Sequence, residues 1–245
     1  MTTIGNIVLV HGGFVDGSGW RGVYDELTGC GLRVRVARNP ALSLEGDVAT
    51  TRRILDGLDG PAVLVGHSYG GVVISEAGTH PNVASLVYVA AFAPDSGESA
   101  GTLAAFASHN GETVFAPCDG EPAGALAGAP PEPPFLPPVE GFLLLDRDRF
   151  AASLAADLPE QVAAFMADSQ VPWGVDALGG PVTEPAWRHR PSWYLVATRD
   201  RMIPPSAQRM MAERAGAKVV EVIGSHAVHV SQPAAVADLI REAAA

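Results

Sequence analysis

Cysteine is scarce. The 245 residues hold two, Cys30 and Cys118, far apart along the chain. Two thiols make neither a disulfide framework nor a metal-ligand pattern, so both are read as free and buried, with no metal site. Positive charge is also short. Sixteen basic residues face 27 acidic ones, a net charge of −11. That excess repels phosphate backbones and anionic lipid heads, which argues against a nucleic-acid or membrane partner. Long apolar runs are missing as well. No window approaches the roughly 20 residues of a membrane span. The opening MTTIGNIVLVHGG has no basic segment, and its run Ile7–Val10 is too short for a signal peptide. A soluble, cytoplasmic protein is expected, as a monomer or a homodimer.

What is present is apolar. Hydrophobic residues make up 47% of the chain and charged ones 18%, a balance that fills a core and does not suit disorder. The length fits one compact domain with an insertion. Short β-branched runs at Ile7–Val10, Val34–Ala37, Ala62–Val65 and Leu86–Val89 read as strands. They are almost continuously hydrophobic, as strands buried on both faces of a parallel sheet must be. Helical patterns lie between them at Trp20–Leu27, Glu45–Leu58 and Gly71–Thr79. This alternation predicts an α/β fold, a mostly parallel sheet of about six strands flanked by helices.

The rhythm stops after Ala91. Residues 94–190 are rich in Ala, Pro and Gly, and APPEPPFLPP at 129–138 can be neither helix nor central strand, because proline lacks the amide donor. Amphipathic helices follow at Arg147–Ala156 and Pro159–Ser169. Strand and helix then alternate again: Trp193–Ala197, Ser206–Ala215, Val219–Ile223 and Ala234–Ala244. Neither flank alone holds a full sheet. The reading is therefore one core, residues 1–93 and 191–245, interrupted by a mainly helical cap at 94–190.

The chemistry is expected where strands end. Gly66-His67-Ser68-Tyr69-Gly70 follows the run AVLV and precedes a helical pattern, the strand–turn–helix context of a G-x-S-x-G nucleophile elbow. A serine hydroxyl needs a base to take its proton. Of seven histidines, His226 and His229 follow the last strand, at the same carboxyl edge as the elbow. His226 is preferred because it comes first and follows a flexible Gly-Ser. Asp200, in the turn after Trp193–Ala197, is placed to orient that histidine; Asp95 is its rival. The oxyanion donors are assigned to the backbone amides of Tyr69 and Gly13, with Phe14 as the alternative to Gly13.

The HGG loop, Trp20, GHSYGG, TRDRMIP and the closing GSHAVHVSQP resemble the α/β-hydrolase superfamily. Within it they are similar to the branch that holds plant methyl-ester esterases, hydroxynitrile lyases and bacterial esterase relatives. The resemblance covers nearly all of the core, and DSQVPWG and VTEPAWR in the cap look like the bacterial members. It implies Ser68, Asp200 and His226 as the triad, Gly13 and Tyr69 as oxyanion amides, no cofactor, and a small to medium apolar carboxylic ester as substrate. Two positions depart from the lyases, which carry threonine where Gly12 stands and lysine where Ala227 stands. The lyase needs that lysine's charge for cyanide, so its absence favours hydrolysis. A lyase or C–C hydrolase with the same triad, and a non-catalytic binding protein of this fold, are the other readings. Phe14, Phe165, Met166 and Trp173 are the candidate pocket residues, since ligand sites are mostly apolar. Asp157 and Glu160 read as a solvated helix face.

Overall fold

The structure, a computed structural model, describes residues 4–109 and 134–245. Cys118 and positions 129–133 of the proline-rich stretch lie outside them. The first half runs β1 (Asn6–Val10), α1 (Arg21–Gly29), β2 (Arg33–Val36), α2 (Leu44–Asp56), β3 (Ala62–His67), α3 (Gly70–Ala77) and β4 (Val83–Val89). Next come α4 (Ala100–His109), β5 (Phe142–Leu143), α5 (Arg147–Leu154), α6 (Glu160–Asp168), β6 (Trp173–Gly174) and α7 (Val175–Gly179). The chain closes with β7 (Ser192–Ala197), α8 (Pro205–Arg214), β8 (Lys218–Val222), α9 (Val228–Ser231) and α10 (Pro233–Ala244).

The main sheet has six strands in the order β2-β1-β3-β4-β7-β8, and every neighbouring pair is parallel. From β1 the chain steps out to β2 and then returns to β3 on the other side. The connections at the carboxyl ends of β1 and β3 therefore diverge, which opens a crevice at that rim. Both strands are buried at every position, which is why each reads as an unbroken apolar run rather than an alternation.

Side chains alternate between the faces. Val8, Val10, Leu64, Leu86, Tyr88 and Tyr194 enter one core. Ile7, Leu9, Val63, Val65, Val87 and Leu195 enter the other, against α1 and α10. Each buried Val or Leu contributes about 1.5–3 kcal/mol, so both layers hold the strand ends firmly. Pro205 and Pro233 begin α8 and α10, where a missing amide costs nothing and the fixed φ suits the first turn.

The observed fold is the expected parallel α/β sheet, with element ends displaced by a few residues. Three features of the 94–190 segment depart from the periodicity reading. Helix α4 (AGTLAAFASH) has no polar face to mark it. Strands β5 and β6 are two residues each and pair antiparallel, Leu143 opposite Trp173. Helix α7 has five residues. Pro134–Pro138 joins neither a helix nor the main sheet, as proline chemistry requires. Cys30 is a correction: it is free but exposed, because it caps the end of α1 at the surface turn into β2.

Candidate active site

The elbow is built by close packing. Ser68 follows β3 directly and has a φ of +54°, a left-handed conformation that costs a non-glycine residue about 1–2 kcal/mol. Main-chain bonds hold it there. The Ser68 amide donates to the Val89 carbonyl at 3.3 Å, and the Ser68 carbonyl accepts from Gly71 at 3.0 Å and Phe92 at 3.1 Å. A Cβ at Gly66 would stand 2.5 Å from the Gly70 carbonyl oxygen, and one at Gly70 would stand 2.5 Å from that of Val10. Glycine at both flanks is thus what lets strand, turn and helix meet.

Ser68, His226 and Asp200 come together at this rim. Oγ of Ser68 lies 2.8 Å from Nε2 of His226, and Nδ1 of His226 lies 2.7 Å from Oδ2 of Asp200. A carboxylate only accepts, so Nδ1 carries the ring proton and Nε2 is free to accept from the serine hydroxyl. All three residues are buried, which strengthens the bonds by excluding water. Asp200 is held in turn. Its Oδ1 accepts from the amides of Met202 (2.7 Å) and Ile203 (3.0 Å), and its Oδ2 also accepts from Nε2 of Gln208 at 2.8 Å. Gln208 is buried on α8, and its Oε1 accepts from the Ala197 amide, the end of β7. Sequence reasoning missed this glutamine. A lone amide side chain at 208, followed by apolar positions at 211 and 212 on the same helix face, was the available signal.

The rivals sit elsewhere. Asp95 pairs with Arg188 at the surface. His229 is buried one turn beyond His226, its ring 4.8 Å from Trp20 and 4.0 Å from His67. Among the described residues neither of its nitrogens has a hydrogen-bond partner. Burial, with the neighbouring His226 and His11, pulls its pKa down to about 3, so it stays neutral.

Asp157, read from the sequence as part of a solvated face, is exposed in the turn after α5 and also grips the histidine loop. It accepts from the Ser225 amide at 3.0 Å, from Oγ of Ser231 at 2.8 Å, and from Oγ of Ser225. Burial pushes its carboxyl up, but those bonds outweigh burial and leave it below the ordinary carboxylate value. The Leu154 carbonyl adds a bond from the Ala227 amide at 2.9 Å. Helix α5 and the turn after it therefore brace the loop that carries His226.

The candidate oxyanion residues share a neighbour. The indole of Trp173 is packed so tightly on Gly13 that a Cβ there would stand 2.6 Å from it, and its ring lies 5.3 Å from those of Phe14 and Tyr69. The Tyr69 hydroxyl donates to Asp47 Oδ2 at 2.8 Å, while Oδ1 of Asp47 accepts from the Ala41 amide. Burial, then the adjacent Asp47 charge, raises the Tyr69 phenol, so it remains a neutral anchor. Phe14, Phe165 and Met166 do meet, around a cleft of about 200 Å³ between the 14–19 loop and α6. Trp173 is not among its walls, nor is Ser68; from β6 it packs, buried, against Gly13 and Phe14 in the loop after β1.

The alpha/beta hydrolase family model matches residues 7–239. An alpha/beta hydrolase of Aspergillus novofumigatus, nvfD, is 29% identical over 194 residues, 74% of this chain and 69% of that one. A carbendazim hydrolyzing esterase of a Nocardioides species is 34% identical over 108 residues, 38% of this chain and less than half, 45%, of the esterase. Among solved structures, a pyrethroid hydrolase from Sphingobium faniae JZ-2 superposes with a TM-score of 0.74 at 23% identity, over 98% of this chain and 97% of that one. Polyneuridine aldehyde esterase gives 0.75 at 19%, over 97% and 98%. Sheet order, elbow and family match agree: the chain belongs to the α/β-hydrolase family.

Proposed function

We propose that the protein is a serine hydrolase that cleaves small to medium apolar carboxylic esters through an acyl-enzyme on Ser68. The observation that carries this reading is the unbroken chain of hydrogen bonds from Ser68 through His226 to Asp200. As Oγ attacks the ester carbonyl, its proton passes to Nε2 of His226. Asp200 stabilises the imidazolium and holds its tautomer. The amides of Tyr69 and Gly13 receive the oxyanion as negative charge develops. The C–O bond to the alcohol then breaks, and His226 returns the proton to the leaving oxygen. A water, deprotonated by the same nitrogen, attacks the acyl carbon, the bond to Oγ breaks, and the acid leaves with Ser68 restored.

The scheme uses no cofactor or metal. The apolar cleft beside Phe14 supports an apolar substrate part, and α6, with Val162, Phe165 and Met166, forms the cap over it. Relatives named as a carbendazim hydrolyzing esterase, a polyneuridine aldehyde esterase and a pyrethroid hydrolase support the same class. The lyase reading is disfavoured at two positions. Ala227 is fully buried where those enzymes carry lysine, and a side chain at Gly12 would stand 2.7 Å from Cβ of Ser68. The test is turnover of p-nitrophenyl acetate. Ser68→Ala should lower kcat/KM by about 10⁴-fold or more, and retained activity would refute the assignment.

A further inference from the structure

We infer that His67 is a positioning residue, which holds the main chain of His226 so that its Nε2 stays in register with the Ser68 hydroxyl; this rests on the triad reading above. Nε2 of His67 lies 2.9 Å from the His226 carbonyl oxygen, a contact 159 residues apart in sequence and buried. A carbonyl can only accept, so Nε2–H of His67 donates. That fixes the tautomer, and it leaves Nδ1 as a bare acceptor with no partner among the described residues. An unpaired ring acceptor is cheaper to bury than an unpaired N–H on a charged ring.

The surroundings enforce neutrality. Burial, with His229 and His226 close by, holds the His67 ring well below the usual histidine range. Its ring lies against those of His226 (4.7 Å) and His229 (4.0 Å), with Trp20 edge-on at 6.3 Å. The residue is therefore a fixed, neutral donor rather than a proton carrier.

Its place in the chain gives the bond its leverage. His67 immediately precedes Ser68, so nucleophile and donor share one rigid strand end. The elbow thus touches His226 twice, at the ring through Ser68 and at the main chain through His67. A base tethered to the same backbone as its nucleophile cannot drift from it, and a misplacement of ~1 Å can cost on the order of 10²-fold in rate. Loss of the tether should therefore act on kcat and leave binding of the ester nearly unchanged.

The experiment compares wild type, Ser68→Ala, His67→Leu and His67→Gln in p-nitrophenyl acetate hydrolysis, with thermal unfolding of each. Leucine removes the donor at similar bulk; glutamine puts an amide N–H near the position of Nε2. The expectation is an active wild type, an inactive Ser68→Ala, and a kcat for His67→Leu lower by about 10- to 100-fold with KM within about twofold. His67→Gln should recover to within about fivefold of wild type. Equal losses in both His67 variants, or full kcat in the leucine variant, overturn the inference while the triad stands. An active Ser68→Ala sinks the triad reading, and this one with it. Nitrogen-15 NMR of histidine-labelled wild type needs no variant to fold: the proton is expected on Nε2 of His67, and a proton on Nδ1 instead contradicts the tether.

Discussion

Two regions meet around Ser68, and they are built on different terms. On the sheet side each group of the candidate triad is buried and fixed by several bonds: Asp200 by Met202, Ile203 and Gln208, Ser68 by Val89, Gly71 and Phe92. On the cap side the framework is slight. Strands β5 and β6 have two residues each, and Phe165 of α6 is 67% exposed at the mouth of the cleft. Residues 154–174 reach the rim through side chains, Trp173 onto Gly13 and Asp157 onto Ser225, and through main-chain bonds, Val171 to Phe14 and Ala227 to Leu154. The contrast divides the labour. The sheet rim sets the reacting geometry, where small displacements are costly. On the proposed function, the exposed lining around Phe165 is where a substitution changes substrate choice, whereas Leu154 and Asp157 stay tied to the loop of His226.

If that division holds, substitutions on the two sides separate by size and kind. The largest effect belongs to the rim. His226→Ala should lower kcat/KM for p-nitrophenyl acetate by about 10⁴-fold or more while the folded circular-dichroism spectrum is kept. A loss of only tenfold would erase the contrast.

A smaller effect reads the dry core behind the rim. The folded His229 ring takes its proton only near pH 3, whereas an ordinary histidine does so near 6.5. Between those values the unfolded chain binds the extra proton, so stability falls as the pH falls. From pH 6.5 to pH 5 His229 alone should remove on the order of 2 kcal/mol, with His67 adding in the same direction, read by urea unfolding at each pH. His229→Leu should show a shallower dependence. An unchanged slope would mean that the ring is not sheltered as described.

The smallest effect is expected in the cap. Phe165→Ser removes an exposed aromatic, so stability should move by less than about 0.5 kcal/mol. KM for a bulky aryl ester should rise several-fold with kcat nearly kept, as expected when uniform binding is lost. A collapse of kcat would show that α6 shapes the reacting geometry after all.

The same division explains what could be read from sequence. Strands such as AVLVGH announce themselves because both faces are buried, and the glycines at 66 and 70 mark a turn that tolerates no side chain. The chain order of Ser68, Asp200 and His226 points to strand ends on one rim. Gln208, Asp157 and His67 were hidden for a different reason. Each acts by a hydrogen bond to a particular atom of another segment, and no periodicity records which side chains meet across the fold. Helix α4 was hidden by its uniform hydrophobicity, and β5 and β6 by their brevity.

On the proposed mechanism the hydroxyl of Ser68 is the atom that takes the acyl group. A fluorophosphonate reacts covalently with an activated serine, and mass spectrometry of the digested adduct locates it. One adduct per chain is expected, on the peptide containing Ser68, and none on Ser68→Ala. An unmodified wild type, or an adduct on any other residue, would contradict it.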